Sequence, residues 1–255
     1  LDEVLQLEAG SKEYDEKKTQ DIVEVINYRK ALLAAEEALS ERPLSLNLIK
    51  AVHKILMDGA RGEDKSPGQF RTKQNWIGKP RCKIEEARFV PPNPMILQEH
   101  LERWEWYIQK HKEEALIQMA VIHAQFEILH PFEDGNGRIG RILIPLYLFQ
   151  REVLHRPMFY LSEYLESNRD EYYDGLLAIT SDGNWQGWIE FFLAGIIKQA
   201  NSNTEKAKRI KLLYETLKTA FREATHSEFA TPALDTFFSK PIINSTDFLK
   251  RSGIA

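Results

Sequence analysis

Twelve consecutive residues, HPFEDGNGRIGR at positions 130–141, hold one histidine, two acids, three glycines, one asparagine and two arginines. An imidazole with a reference pKa of about 6.5 suits taking a proton from an attacking hydroxyl near neutral pH, so His130 is the candidate general base. Gly135, Asn136 and Gly137 tolerate positive φ, which lets successive backbone N–H groups converge into an anion-binding nest. Arg138 and Arg141 are three residues apart, point to nearly the same side of a helix, and can both fork onto phosphate oxygens. Two guanidiniums and a nest fit a polyphosphate. Such a ligand usually brings Mg²⁺, and Asp134, just before the nest, is the candidate carboxylate to bridge metal and phosphate. Taken singly, each piece is also an ordinary turn, loop or solvated face; gathered in twelve residues they describe one site.

Two helices must hold these residues. The apolar run MAVIHAQFEILH ends at Pro131, whose ring disfavours helical geometry in the preceding residue, so His130 is expected at or just past a helix end. The run RIGRILIPLYLF predicts a second helix whose N-terminus adds a partial positive charge at the same place. Elsewhere the pattern is mostly helical. Asp21 is the expected cap of a helix carrying Ile22, Val25, Ile26, Leu32 and Leu33, and Ser45 that of one carrying Leu48, Val52, Ile55 and Leu56, stopped by Gly59. Leu97, Leu101, Trp104 and Ile108 recur at helical spacing after Pro94, followed by helices at 116–129, 138–150, 162–180 and from about 185 past 220. The stretch QNWIGKPRCKIEEARFV is the one good strand candidate, a short hairpin. His123, seven residues before His130, reads as a hydrogen-bonded core histidine, Glu133 as surface, and the charged run at 12–18 as a solvated segment. Trp104 and Trp106 cannot share a helix face, so at least one is expected to contact something outside its local core.

Composition bounds the function. The chain has 255 residues, 43% of them hydrophobic, enough for one large domain with or without a small appendage. With 34 basic and 38 acidic residues its formal charge is -4, so no global positive field marks a nucleic-acid or membrane surface. A single cysteine, Cys82, forms no internal disulfide, and no apolar run approaches the roughly 18 residues of a membrane span, so a cytoplasmic protein is expected. The start lacks the features of a secretion signal and an initiator methionine, as if cut from something longer.

HPFEDGNGRIGR matches, at every defined position, the signature of the Fic (filamentation induced by cAMP) family: histidine, any residue, phenylalanine, any residue, acid, Gly-Asn-Gly-Arg, two of any, Arg. SPGQFRTKQNWIG and ARFVPP resemble the segment before and through that family's target-docking β-hairpin, and LSEYLESNRDEYYDGL with NWQGWIEFFL resembles its later helices, so the likeness covers roughly residues 20 to 200. It implies a mainly α fold, a Fic-type helical bundle with a small β-hairpin flap beside the active site. It implies transfer of AMP from ATP to a Ser, Thr or Tyr hydroxyl of a target protein or of the chain itself. Carried over by position, His130 is the base, Phe132 the anchor of the loop, Asp134 the Mg²⁺ ligand, and Gly135, Asn136 and Gly137 the phosphate nest, with the asparagine side chain assisting at the α-phosphate. Arg138 and Arg141 bind the triphosphate, Asn168 and Tyr172 line the adenosine pocket, and Thr72, Lys73, Gln74, Asn75, Trp76 and Ile77 form the flap that docks an extended target segment.

The resemblance also sets expectations for the ends. Many relatives carry an inhibitory helix with Ser or Thr, three residues, then Glu-Gly or Glu-Asn, whose glutamate pairs with the second motif arginine. Nothing in this sequence matches it; SEYLES at 162–167 has the spacing but ends in serine. The helix is expected in a longer parent protein, which leaves Arg141 uncovered and this fragment more active. Residues 1–222 are read as the catalytic domain with flanking helices, its core about 45–200. Residues 223–255 are read as the start of a truncated winged helix-turn-helix-like segment, with a helix capped near Ser245 or Thr246 and Phe248 and Leu249 turned inward. The recognition helix would begin where the sequence ends, so DNA binding by this fragment is not expected; a homodimer is compatible with the pattern. Two rival functions stay open: a nucleotide-binding regulatory module, and a Doc-like protein kinase, which departs from this motif at the glycine after asparagine.

Overall fold

The computed structural model of the chain describes residues 2–10, 14–79, 81–110 and 113–254. Residues 12 and 13 of the charged run, and Pro80 of the expected hairpin, lie outside them. In chain order the helices are α1 (Asp2–Glu8), α2 (Glu16–Leu39), α3 (Leu46–Met57), α4 (Pro94–Lys110), α5 (Ala115–Leu129), α6 (Asn136–Gln150), α7 (Ser162–Ser167), α8 (Arg169–Asp182), α9 (Trp185–Thr225), α10 (Ala230–Ser239) and α11 (Ser245–Ser252). The fold is mainly α, as expected.

Local chemistry explains most boundaries. Ser45 caps α3, its hydroxyl accepting from the Leu48 N–H at 3.3 Å. The expected cap at Asp21 is not one: α2 starts five residues earlier, where Asp15 accepts from the Lys18 N–H at 2.8 Å, and runs through Asp21 because nothing there breaks a helix. The long helix expected at 162–180 is two, α7 and α8, parted at Asn168, whose side chain turns back to donate to the Tyr164 carbonyl at 2.7 Å. At the far end Asn244, one residue before the expected cap, accepts from the Asp247 N–H at 2.8 Å. Phe248 stacks on Phe237, whereas Leu249 is exposed rather than turned inward.

The chain folds as two compact units, Asn27–Ala200 and Leu1–Ile26 with Asn201–Ala255. The first holds the main core. Leu97, Leu101, Trp104 and Ile108 of α4 are all buried, as the spacing predicts, while Trp106 is exposed. α5 packs against both α4 and α6, and it is apolar all round because it has neighbours on every side. Trp104 and Trp188 donate their indole N–H groups to the carbonyls of Ile122 and Ala120, fixing α4 and α9 against α5.

The strand candidate does not form paired strands. Among the described residues it is held by a single antiparallel bridge, Ile77 with Phe89, in which the Ile77 N–H donates to the Phe89 carbonyl at 2.9 Å and the Arg88 N–H to the Ile77 carbonyl at 2.8 Å. The ladder cannot extend past Val90, because Pro91 and Pro92 have no N–H to donate. The Gln74 side chain, not a strand partner, takes the Pro91 carbonyl at 2.9 Å. A short 3-10 turn, Ile84–Glu86, fills the rest of the loop.

Candidate active site

The motif spans the junction of α5 and α6. His130 is the residue at the end of α5, with its backbone N–H on the Phe126 carbonyl and φ 46°, ψ 59°, a left-handed conformation rare outside glycine. That turn swings the imidazole off the helix, half-buried, with Nδ1 3.3 Å from the Glu127 carbonyl. If Nδ1 carries the hydrogen, as a carbonyl partner requires, Nε2 is left with its lone pair. Burial lowers the His130 pKa to about 4, with the Arg71 guanidinium adding to the effect, so the ring is neutral at physiological pH.

What holds this strained turn is a residue the motif does not contain. Arg71 is buried, and its guanidinium donates only to backbone carbonyls: His130 at 2.9 Å, Pro92 at 2.6 Å, Lys73 at 3.3 Å and Leu129 at 3.3 Å. Its own N–H donates to the Pro131 carbonyl at 2.8 Å. Asn75, expected in the docking flap, turns its amide into the loop instead and donates to the carbonyls of Phe132 at 3.0 Å and His130 at 3.3 Å. Thr72, Lys73 and Trp76 are exposed, and Ile77 forms the lone bridge.

A second support lies beneath. Phe132 is fully buried and stacks on His53, ring centroids 3.8 Å apart and 4° from parallel, with Phe70 beside it. His53 is itself buried; its Nδ1 accepts from the Gly68 N–H at 2.8 Å, which leaves Nε2–H to donate to the Asp134 carbonyl at 2.9 Å. Burial lowers its pKa, keeping it a neutral strut. Gly135 has φ 81°, and a Cβ there would lie 2.9 Å from Met57 Sδ and 3.1 Å from His53 Nε2, so the sequence needs glycine on two counts.

Asn136 is buried and its amide closes the loop on itself, accepting from the Phe132 N–H and donating to the Phe132 carbonyl, both at 2.8 Å. Its side chain shapes the loop. The first-turn N–H groups of α6 have no acceptor within the helix and carry its partial positive charge. Asp134 is half exposed beside them, with Oδ1 on the Gly135 N–H at 2.5 Å and 3.8 Å from Arg138. Among the described residues no three His, Cys, Asp or Glu side chains cluster as a metal cage. Arg138 reaches Met57 Sδ at 3.3 Å, and Arg141 lies partly exposed one turn along, its Nη1 3.2 Å from where a Cβ on Gly137 would stand. Glu133 is exposed.

The residues expected to line an adenosine pocket sit differently. Tyr172 turns inward, its hydroxyl 3.1 Å from His123 Nε2, while His123 Nδ1 lies 3.0 Å from the Gly140 carbonyl, so His123 is the satisfied core histidine expected. Asn168 serves the α7–α8 junction. Tyr173, one residue on, faces instead an apolar cavity with Ile77, Phe89, Ile128, Leu176 and Leu177, where Glu127 and Arg88 are the charged lining residues. Helical geometry turns each residue about 100° from the last, so adjacent Tyr172 and Tyr173 face different neighbours.

Residues 43–148 match the Fic/DOC family. A probable protein adenylyltransferase of Aquifex aeolicus is 31% identical over 85 residues, 33% of this chain and 27% of that protein. A protein adenylyltransferase Fic of Aedes aegypti is 28% identical over 127 residues, 49% of this chain and 22% of that protein. The chain thus matches about a quarter of the length of these curated relatives. Among solved structures, a Fic family protein from Desulfovibrio desulfuricans G20 superposes with a TM-score of 0.67 at 18% identity, covering 100% of this chain and 69% of that one. Fic-1 from C. elegans gives 0.56 at 19% identity, covering 80% and 58%. These likenesses establish the helical fold.

Proposed function

We propose, taking as premise the Fic/DOC family domain that this chain carries over residues 43–148, that the protein is a nucleotidyltransferase that moves AMP from ATP to a protein hydroxyl. The named adenylyltransferase relatives support the reaction class. The observation that carries the reading is local: His130, off the end of one helix, stands beside the N-terminus of the next, with Arg138 and Arg141 on its first turns.

The chemistry follows from that layout. The triphosphate lies along the start of α6, its oxygens met by first-turn N–H groups and by the two guanidiniums. The base occupies the apolar cavity that Tyr173 and Ile77 wall, which Glu127 and Ile128 connect to His130 one turn away on α5. The target hydroxyl gives its proton to His130 Nε2 as its oxygen bonds to the α-phosphorus, and the bond from phosphorus to the bridging oxygen breaks to release pyrophosphate. Charge that develops on the phosphoryl oxygens is stabilised by groups already in place. Asp134 is half exposed and, among the described residues, belongs to no cluster of three His, Cys, Asp or Glu side chains, which fits Mg²⁺ that arrives on the phosphates rather than a resident ion. When bound, Mg²⁺ neutralises phosphate charge, and Asp134 is the residue that would hold it.

The loop from Thr72 to Val90, in which Ile77–Phe89 is the one β-bridge among the described residues, is the element that would take the target's backbone. The target is a protein hydroxyl, on another protein or on this chain. The rival kinase reading differs in which phosphorus is attacked. Incubating the protein with Mg²⁺, cell lysate and ATP labelled at the α- or the γ-phosphate separates them: label transferred from the α-position alone supports AMP transfer, and label from the γ-position alone overturns it.

A further inference from the structure

Glu127 is the one buried carboxylate of the α5–α6 junction with no role in holding the loop through its side chain. It lies on α5 and is only 8% exposed, and its Oε1 is buried with no hydrogen-bond partner. The carboxyl fits because α6 has glycine opposite: a Cβ on Gly140 would stand 2.1 Å from Oε1. His123 from the same helix, Arg141 from α6 and Tyr172 from α8 surround it, but His123 and Tyr172 are spent on each other and on the Gly140 carbonyl. An unmet buried carboxyl oxygen costs stability, so a residue kept in that state calls for a partner that comes and goes.

Glu127 is also one of the residues that line the cavity of Tyr173, Ile77, Phe89, Ile128, Leu176 and Leu177. The other charged lining residue, Arg88, is engaged, with Nη2 2.6 Å from Asp174 and its guanidinium 5.2 Å above the Tyr173 ring. Apolar and aromatic walls can stack any base but cannot tell one from another; discrimination needs a polar group aimed at the base edge.

We propose that Glu127 is a specificity-determining residue for the nucleotide, its carboxyl accepting a hydrogen bond from the exocyclic 6-amino group of adenine in this cavity. The inference rests on the nucleotide-binding reading above and says which base the site selects. Adenine places an N–H donor where guanine and uracil place a carbonyl oxygen, which a carboxyl oxygen repels. Burial raises the Glu127 pKa to about 7, and in either protonation state the group keeps an acceptor for the amine.

The test compares ATP with purine riboside triphosphate, in which hydrogen replaces the 6-amino group, by titration calorimetry with the full chain. The wild type is expected to bind ATP about tenfold more tightly than the analogue. Glu127→Leu should bind the two alike, through loss of ATP affinity, while Glu127→Gln, whose amide oxygen still accepts, should keep the preference. Leucine relieves an unpaired buried carboxyl, so folding is expected to survive; Glu127→Met serves the same comparison if it does not. A Glu127→Leu variant that keeps the wild-type ratio overturns this inference and leaves nucleotide binding standing. A wild type that binds neither triphosphate overturns both.

Discussion

At the residue scale, the decisive feature is that His130 is neutral before any substrate arrives. Its conformation costs on the order of 1 kcal/mol for a non-glycine residue, and the surrounding hydrogen bonds offset that. Its folded pKa of about 4 lies below the ordinary 6.5, so the base form persists as pH falls and is lost only as pH drops through the folded value. The acid limb of AMP transfer, measured as kcat against pH, is therefore expected near pH 4 to 5 with a flat rate from about 6 to 8. A limb centred at 6.5 would contradict a desolvated His130. The position of His130 at the end of α5 was legible in the sequence, since an apolar run that meets Pro131 is a local signal for a helix end. Its left-handed turn and shifted pKa were not, because both come from groups distant in the chain.

At the element scale, the α5–α6 pair could be read from the motif itself, and the loop that braces it could not. Asn75 read as part of a docking flap and Arg71 as the residue just before it, yet both point back at carbonyls some 55 to 59 positions away. Nothing local distinguishes a buried arginine from a surface one; only the convergence of four backbone carbonyls does. Arg71→Met removes a charged donor from all four and is expected to cost about 3 kcal/mol in urea unfolding, with transfer activity falling alongside. Arg71→Lys should recover less than half of that, because an ammonium lacks the planar fork. An Arg71→Met protein with unchanged stability would show that the loop holds its shape without the clamp. Tyr172 and Tyr173 teach a related lesson: periodicity located the helix, but which of two adjacent tyrosines faces the cavity depends on how α8 packs against α5.

At the scale of the whole molecule, burial is concentrated in one unit. The core of Asn27–Ala200 runs continuously from Ala31 on α2 to Ile196 on α9, whereas the other unit buries few large apolar side chains, among them Val4, Ile22 and Leu234. Local opening free energy follows buried apolar contact, so amides of α10 and α11 are expected to exchange with deuterium well before those of α5 and α6. Equal protection across the chain would contradict this division. The mainly α character and the positions of most helices followed from hydrophobic periodicity. The fate of the expected hairpin did not, because two prolines withhold N–H groups from a ladder that alternation alone allows.

The most direct test of the central claim uses the full chain with Mg²⁺, α-labelled ATP and a lysate, comparing wild type with His130→Ala while ATP affinity is measured in parallel. The variant is expected to bind ATP within about threefold of wild type but to transfer label at least about a hundredfold more slowly, since it has lost a proton acceptor and nothing that touches phosphate. Transfer by His130→Ala at the wild-type rate would contradict that claim.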